Sequence, residues 1–274
     1  MTRAARPHPR RRAPRAPTEP ARDLDGMLRR LHLPTIRRLY GELATRAEAD
    51  GMGYRVYLET LIAEEVAHRT ETRLTRAVRK ARFPFLRTID DFNFTFQTVL
   101  RLQMLGSYLG PELITEGRNA ILSGPSGTGK THLAIAIAYR AIQHGGEARF
   151  VGADALIAEL SRAAAKGRLE AALDPYLHPH VLVIDELGYL AHAADAANVL
   201  YQVVNERYLK QRPILVTTNK PLAAWGDVVH DGDLAEAIVD RLLERGAHFA
   251  LRGRSYRTRH LTEEDHPSRR AKTA

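Results

Sequence analysis

The segment from Gly124 to Thr131 reads Gly-Pro-Ser-Gly-Thr-Gly-Lys-Thr and contains every position of the phosphate-binding loop pattern G-x-x-x-x-G-K-[ST]. An apolar run at 120–123 precedes it, and an alanine-rich run of helical character follows at 132–143. A strand, a glycine-rich loop and a helix N-terminus in this order make a site for a phosphate anion. The sequence therefore predicts binding of a nucleoside triphosphate. The alternative, a glycine-rich turn with an incidental lysine, leaves this context unexplained.

The loop residues have separate roles in that prediction. Backbone N–H groups enclose the phosphates, Lys130 reaches the β- and γ-phosphates, and the Thr131 hydroxyl ligates Mg²⁺. A nucleoside triphosphate and Mg²⁺ are accordingly the expected ligands. The predicted nucleotide contacts are Gly124, Pro125, Ser126, Gly127, Thr128, Gly129, Lys130, Thr131 and His132.

Two acids end another apolar run, Val181-Leu-Val-Ile-Asp-Glu186. This is the Walker B pattern, and its position after a phosphate-binding loop makes it far more specific than an apolar run before Asp-Glu alone. Asp185 is predicted to hold Mg²⁺, directly or through water, and Glu186 to polarise the attacking water. Hydrolysis, rather than binding alone, is thus expected.

Two later residues are candidates for contacts to the γ-phosphate. Asn219 ends an apolar run and is placed to bond the γ-phosphate or the lytic water; a turn-forming Asn before Lys220-Pro221 is the alternative. Arg241 lies in a helical segment, from which it would reach nucleotide in trans as an arginine finger; a surface salt bridge is the alternative. The predicted catalytic set is Lys130, Asp185, Glu186, Asn219 and Arg241.

Apolar strand candidates alternate with helical segments from about residue 100 onward. The alternation predicts an α/β fold with a parallel sheet covered by helices on both faces, and with the phosphate-binding loop at the carboxyl end of the first core strand. Residues 24–85 lack strand-like alternation and predict a small all-helical part. The predicted strands are 120–123, 148–151, 181–185, 213–218 and 248–251.

The net charge of +9 is concentrated at the two ends of the 274-residue chain. Residues 1–22 hold seven arginines and one glutamate, and residues 266–274 hold two arginines and a lysine. The proline-rich start is expected to be a disordered tail that either binds a phosphate backbone or has no specific role. The chain has no cysteine, no apolar run long enough for a membrane span and no secretory signal, so a cytoplasmic protein without a membrane partner is expected.

One face of a long predicted helix is strongly basic. Basic residues from Arg69 to Lys80 recur at i, i+4, i+7 and i+11, and Glu71 is the only acid between Arg69 and Arg87. This spacing and sign fit the backbone of duplex DNA, with little sequence preference because no base-reading motif is present. A solvated helix face is the alternative. The predicted DNA contacts are Arg69, Arg73, Arg76, Arg79, Lys80 and Arg82.

Three phenylalanines, Phe92, Phe94 and Phe96, occupy alternate positions before the predicted sheet. We expect a short extended segment that packs onto the following domain. Stacking on nucleic-acid bases is the alternative, but no basic residue lies between these rings.

These residues together resemble the IstB-type ATPases, which are helper proteins of bacterial insertion sequences, belong to the AAA+ ATPases and are similar to the DnaC helicase loaders. The resemblance covers roughly residues 24–260 and departs from the family at Thr218, where Ser is more frequent. It rests on an ordered set of stretches: Leu31–Pro34, Asp91–Phe94, Gly124–Leu133, Val183–Tyr189, Asn205–Tyr208, Thr217–Asn219 with Trp225 after it, Asp240–Leu242 and Gly253–Arg257.

The resemblance implies an ATPase that assembles on target DNA as an ATP-dependent homo-oligomer, engages its DDE transposase and stimulates insertion. ATP would lie between subunits, with Arg241 supplied by the neighbour and Arg257 near the nucleotide. The expected division of the chain is a disordered basic tail at 1–22, a helical DNA-binding and oligomerisation domain at 23–88, an AAA+ ATPase domain at 89–262 and a basic tail at 263–274.

Three other functions compete with this interpretation. A helicase loader similar to DnaC shares the ATPase core, so the core alone does not separate the two. A small-molecule kinase with a phosphate-binding loop leaves Asp185, Glu186, Asn219 and the basic helix unexplained. A nucleotide-dependent clamp without turnover has no need of a water-activating acid such as Glu186.

Overall fold

The computed structural model describes residues 23–97, 99–188 and 195–259. The chain divides into two compact units, one that ends at Glu71 and one that begins at Thr72, and this division falls inside a long helix. The predicted tails at 1–22 and 263–274 lie outside the described residues. The functional boundary expected between 88 and 89 stays a prediction.

The first unit is helical, as predicted. Helix α1 spans Leu24–Arg30, α2 spans Pro34–Ala49, and α3, which spans Tyr54–Ala81, begins in this unit. The Asp23 carboxylate caps α1, because it accepts the Gly26 N–H at 2.9 Å. The connections after α1 and α2 are short, and each helix contributes a buried apolar residue to this unit, namely Leu28, Ala47 and Leu61.

A buried carboxylate closes the start of α2. No side chain of its own N-cap residue does so, but Glu65 of α3, only 3% exposed, accepts the N–H groups of Thr35 at 2.8 Å and Ile36 at 3.2 Å. Burial raises the pKa of Glu65, yet hydrogen bonds from Arg69 and from these two N–H groups lower it overall. Glu65 therefore joins α2 to α3 as a charged carboxylate.

The second unit contains a five-stranded parallel sheet. The strands are β1 Asn119–Ser123, β2 Ala148–Gly152, β3 Val181–Asp185, β4 Ile214–Thr218 and β5 Gly246–Ala250. Their spatial order is β2-β3-β4-β1-β5. The predicted strands agree with these bounds to within two residues, so the predicted α/β class is confirmed.

Helices cover both faces of this sheet. Ile121 of β1 belongs to an apolar cluster with the helices between residues 153 and 244, whereas Ala120 and Leu122 belong to a second cluster with the helix at 130–143. Because both faces are buried, polar side chains collect where the strands end. The helices are α4 Gly106–Leu109, α5 Glu112–Thr115, α6 Lys130–Gln143, α7 Ala153–Ala164, α8 Leu169–Leu177, α9 Ala196–Leu209, α10 Trp225–Val229 and α11 Gly232–Glu244.

Within residues 23–97, 99–188 and 195–259, no helix is long and apolar enough to cross a bilayer.

Candidate nucleotide-binding site

The phosphate-binding loop connects β1 to α6 at the carboxyl edge of the sheet. Gly124 and Gly129 have φ angles of +145° and +95°, which residues with a side chain rarely adopt. A Cβ at Gly124 would lie 2.2 Å from the Leu251 carbonyl oxygen, and one at Gly129 would lie 2.8 Å from the Phe92 ring. The loop therefore has a shape that requires glycine, and the N-terminus of α6, which favours an anion, follows at once.

Lys130 is held inside the loop. Its ammonium donates to the Pro125 carbonyl oxygen at 2.8 Å, and the Thr128 hydroxyl donates to the same oxygen at 2.8 Å. Burial lowers the pKa of Lys130, while the negative charges of Asp185 and Glu186 act in the opposite direction. A phosphate that reached the loop would supply this partly buried cation with a stronger acceptor than a neutral carbonyl.

Two threonine hydroxyls meet at the first acid of the Walker B pattern. Thr131 donates to Asp185 Oδ1 at 2.8 Å, and Thr217 of β4 donates to the same oxygen at 2.6 Å. The described residues contain no group of three or more His, Cys, Asp or Glu side chains able to hold a metal ion. Thr131 and Asp185 do fit Mg²⁺, which normally takes one or two protein oxygens and completes its shell with phosphate and water.

Glu186, the second acid of the Walker B pattern, and Asn219 border the same space. Glu186 is exposed and has a φ angle of +59°, unusual for a residue with a side chain. Asn219 is exposed at the end of β4, and its Oδ1 atom lies so close to Gly188 that a Cβ there would approach it to 2.3 Å. Residues from the ends of β3 and β4 thus face the loop that follows β1.

These groups line a cavity of about 740 Å³. It joins residues 126–132 of the phosphate-binding loop and α6 with Glu186 and Asn219. The lining does not include Gly124 and Pro125, which directly precede it in sequence, or Asp185, which accepts a hydrogen bond from Thr131 of the lining. Arg241 does not line the cavity either. Further lining residues are Phe85, Arg87, Asp91, Phe92, Asn93, Phe96, Gln97, Asp154, Tyr256 and Arg257.

A family model described as IstB-like ATP binding protein matches residues 26–264. The chain belongs to this family. Its five-stranded parallel sheet covered by helices, with the phosphate-binding loop after β1, is the architecture that the resemblance implied.

Two relatives within the family are named as ATP-binding proteins of insertion sequences. The relative from insertion sequence IS5376 of Geobacillus stearothermophilus is 36% identical over 84% of this chain and 91% of its own length. The relative from IS21 of Pseudomonas aeruginosa is 34% identical over 86% of this chain and 88% of its own length. Among solved structures, DnaI is similar with a TM-score of 0.50 and 18% identity over 64% of this chain and 93% of that chain. This last likeness concerns the fold alone.

The IstB-like chain does not bring Arg241 to its own cavity. The Arg241 guanidinium donates to Asn205 Oδ1 at 3.1 Å and to the Ala237 carbonyl at 3.1 Å. It also lies over the rings of Tyr201 and Tyr208, at 4.8 and 5.8 Å from their centroids. No carboxylate in the described ranges forms an ion pair with it under 4 Å. A role at the nucleotide therefore requires a second subunit.

The predicted DNA contacts differ in how strongly other residues hold them. In the first unit, Arg69 pairs with Glu65 at 2.9 Å and also donates to the His32 carbonyl. In the second unit, Lys80 pairs with Glu147 at 3.3 Å. Arg73, Arg76, Arg79 and Arg82 are exposed and form no ion pair with another described residue. Compared with Arg69 and Lys80, these four arginines have no acid paired with them in the described ranges, so the prediction of DNA contacts depends chiefly on them.

Two segments far from the loop in sequence cover it. Phe92 packs edge-on against His132 at 5.2 Å, and Gln97 donates to the Thr128 carbonyl at 3.3 Å. The Tyr256 N–H donates to the Gly127 carbonyl at 2.9 Å, and its ring meets Phe96 at 5.1 Å. The packing expected for the phenylalanine segment is confirmed, but the extended conformation expected for it is wrong, because residues 90–96 form turns.

Proposed function

We propose that this protein hydrolyses ATP and couples hydrolysis to assembly on DNA during transposition of an insertion sequence. The observation that carries the proposal is the convergence of the phosphate-binding loop, Glu186 and Asn219 on one cavity, beside the bonded pair Thr131 and Asp185. The names of the relatives support the insertion-sequence setting. A helicase loader similar to DnaC is the alternative, which the fold likeness to DnaI permits without favouring it.

In this proposal the phosphates of ATP occupy the loop. Lys130 exchanges its bond to the Pro125 carbonyl for β- and γ-phosphate oxygens. Thr131 and Asp185 hold Mg²⁺, which neutralises phosphate charge when bound. The oxygens of these two residues already lie 2.8 Å apart, so little rearrangement is required to share one cation.

Glu186 accepts the proton of the attacking water. It is exposed and lines the cavity, where a general base can reach water, and Asn219 lines the same cavity and would bond the water or the γ-phosphate. A clamp without turnover would not need such an acid. A metabolite kinase would leave Glu186 and the exposed arginines near the end of α3 without a role.

Duplex DNA, further copies of this chain and a DDE transposase are the proposed partners. The exposed arginines near the end of α3 would neutralise DNA phosphates without reading bases. Arg241 would complete the nucleotide site of an adjacent copy, so that ATP controls assembly. The transposase and the cytoplasmic location follow from the family setting and stay predictions.

We expect duplex DNA to raise the ATP turnover of the wild-type protein, and the double variant R76Q/R79Q to lose most of that stimulation. Both arginines are exposed and unpaired within the described ranges, so their loss acts on phosphate contacts rather than on folding. Loss of two contacts should reduce the slope of log K against log salt by about 2. ATPase assays with and without duplex, and anisotropy titrations at several salt concentrations, measure both effects.

The matched control is R46Q/R55Q, which removes the same charge from exposed arginines that pair with Asp50 and Glu59. The Lys130→Ala variant gives the background rate. An unchanged salt slope in R76Q/R79Q, or an equal loss in the control, would refute the arginines as the DNA contact. Wild-type turnover no higher than that of Lys130→Ala would refute hydrolysis.

Arg241→Ala and Lys130→Ala subunits should each be inactive alone and recover activity when mixed. An arginine finger contributes on the order of 1,000-fold to turnover, and random mixing at equal ratio leaves about one quarter of head-to-tail interfaces with both groups intact. ATPase rate across mixing ratios measures the recovery. Absence of recovery at every ratio, with both variants as heat-stable as wild type, would contradict a role in trans.

A further inference from the structure

Thr217 contacts both acids of the site although it does not line the cavity. Its hydroxyl donates to Asp185 Oδ1 at 2.6 Å and accepts the Glu186 N–H at 2.9 Å. The side chain is fully buried in β4. A hydroxyl can donate and accept at once, and here one hydroxyl uses both capacities on two consecutive residues.

The backbone of Thr217 contributes to the same arrangement. Its carbonyl oxygen accepts the Leu187 N–H at 2.8 Å, so the turn after β3 is tied to β4 at two successive residues. Glu186 between these ties has a φ angle of +59°. A residue with a Cβ keeps such a left-handed conformation only where its surroundings hold it, and this frequently occurs at functional sites.

We propose that Thr217 is a positioning residue for ATP hydrolysis. Through its donor it orients the Asp185 carboxylate toward Thr131, and through its acceptor it fixes the backbone from which the Glu186 side chain enters the cavity. The inference rests on the proposed function of these two acids. Valine would fill the same volume in a strand equally well, so the hydroxyl itself is the informative feature.

The test compares Thr217→Val, which removes both hydrogen bonds, with Thr217→Ser, which keeps them. A misplaced catalytic group costs about 100-fold in rate, so we expect kcat of Thr217→Val to fall by roughly that factor. Its Kd for ATP in EDTA should stay within about twofold, because the phosphate-binding loop is intact. Thr217→Ser should keep kcat within about threefold of wild type.

A second readout does not depend on activity. Amide hydrogen exchange of Glu186, followed by ¹⁵N NMR, should be protected in wild type and Thr217→Ser and lose about tenfold or more of its protection in Thr217→Val. Thr218→Val is the matched control, since its buried hydroxyl bonds the Leu187 carbonyl and the Lys220 N–H instead. Its Glu186 amide should remain protected even where its melting temperature falls.

The possible results test the positioning role of Thr217 and the proposed ATP hydrolysis separately. Loss of Glu186 protection in Thr217→Val without a fall in kcat would overturn the positioning role, and so would equal protection in all variants. If Thr217→Val and Thr217→Ser both lost ATP affinity, kcat and melting temperature in parallel, Thr217 would have a structural role only. Wild type with a protected Glu186 amide but no turnover would refute the proposed hydrolysis, not the hydrogen bond.

Discussion

Replacement of Glu186 by glutamine is expected to lower ATP turnover by about 100- to 10,000-fold while the Kd for ATP stays within about threefold. Glutamine has the same shape and still forms hydrogen bonds, but it does not accept the proton of the attacking water. Glu186 is exposed and donates its N–H to Thr217 through the backbone, so the substitution leaves the fold intact. A variant that binds ATP and does not hydrolyse it should accumulate as an ATP-bound assembly on DNA.

Steady-state ATPase assays, ATP titration and sizing of the complex on duplex DNA measure these three effects. Lys130→Ala is the contrasting variant, because it should lose ATP binding as well as turnover. Asp91 and Asp154 are the other acids that line the cavity. Asp91 already accepts two hydrogen bonds from Thr88, so Asp154→Asn is the direct test of the assignment. Rapid turnover in Glu186→Gln together with a large loss in Asp154→Asn would move the role of general base to Asp154.

The sheet and the phosphate-binding loop can be predicted from sequence because their signals are local. Parallel strands buried on both faces form short continuous apolar runs, and the bounds predicted for β3 agree with the structure at both ends. The loop is recognisable since its glycines occupy positions that a side chain could not. Both signals lie within a few consecutive residues.

The cover of the cavity could not be predicted in this way. Tyr256 reaches Gly127 and Phe96 from a segment far along the chain, and no spacing rule relates such residues. The same holds for Thr217. Its hydrogen bond to Asp185 cannot be predicted until β3 and β4 are known to be neighbouring strands. These contacts depend on tertiary packing rather than on a periodic pattern.

The basic helix shows an intermediate case. Glu65 lies four residues before Arg69, so this ion pair follows from helical spacing alone and was open to prediction. The pair between Lys80 and Glu147 joins residues 67 apart and required the fold. Charge runs in a sequence therefore overstate the number of cations available to DNA, because partner acids can lie outside the run.

A buried cation that forms no ion pair with a carboxylate of the described ranges holds the chain where β3 and β4 begin. Arg207 of α9 is fully buried and donates to the carbonyl oxygens of Tyr176 at 2.6 Å, Pro179 at 3.0 Å, His180 at 2.8 Å and Pro213 at 2.8 Å. Burial, with a smaller effect of Arg212, lowers the pKa of Arg207 to about 9, so it remains charged at neutral pH. The carbonyls at the end of α8 supply the compensating negative potential.

Replacing Arg207 by methionine should reduce the free energy of unfolding of the second unit by about 3 kcal/mol. Methionine recovers the cost of burying a charge, but it leaves the buried Tyr176 carbonyl and the part-buried Pro179 and His180 carbonyls without these donors. The Pro213 carbonyl also accepts the Leu182 N–H at 3.1 Å, so its loss is smaller. Urea unfolding followed by the fluorescence of Trp225, the single tryptophan and fully buried in this unit, measures the change.

Two further variants separate geometry from charge in this prediction. Arg207→Lys keeps the cation but presents its donors from one point, so it should span fewer of the four carbonyls and remain destabilised. Lys210→Met removes a half-exposed cation at the end of α9 that pairs with Glu206 at 3.2 Å, and it should cost less than about 0.5 kcal/mol. A fully stable Arg207→Lys would show that charge alone suffices, whereas a stable Arg207→Met would show that the sheet edge does not depend on the guanidinium. The planar fork of arginine, which reaches the end of α8 and the starts of β3 and β4 together, argues for destabilisation in both Arg207→Lys and Arg207→Met.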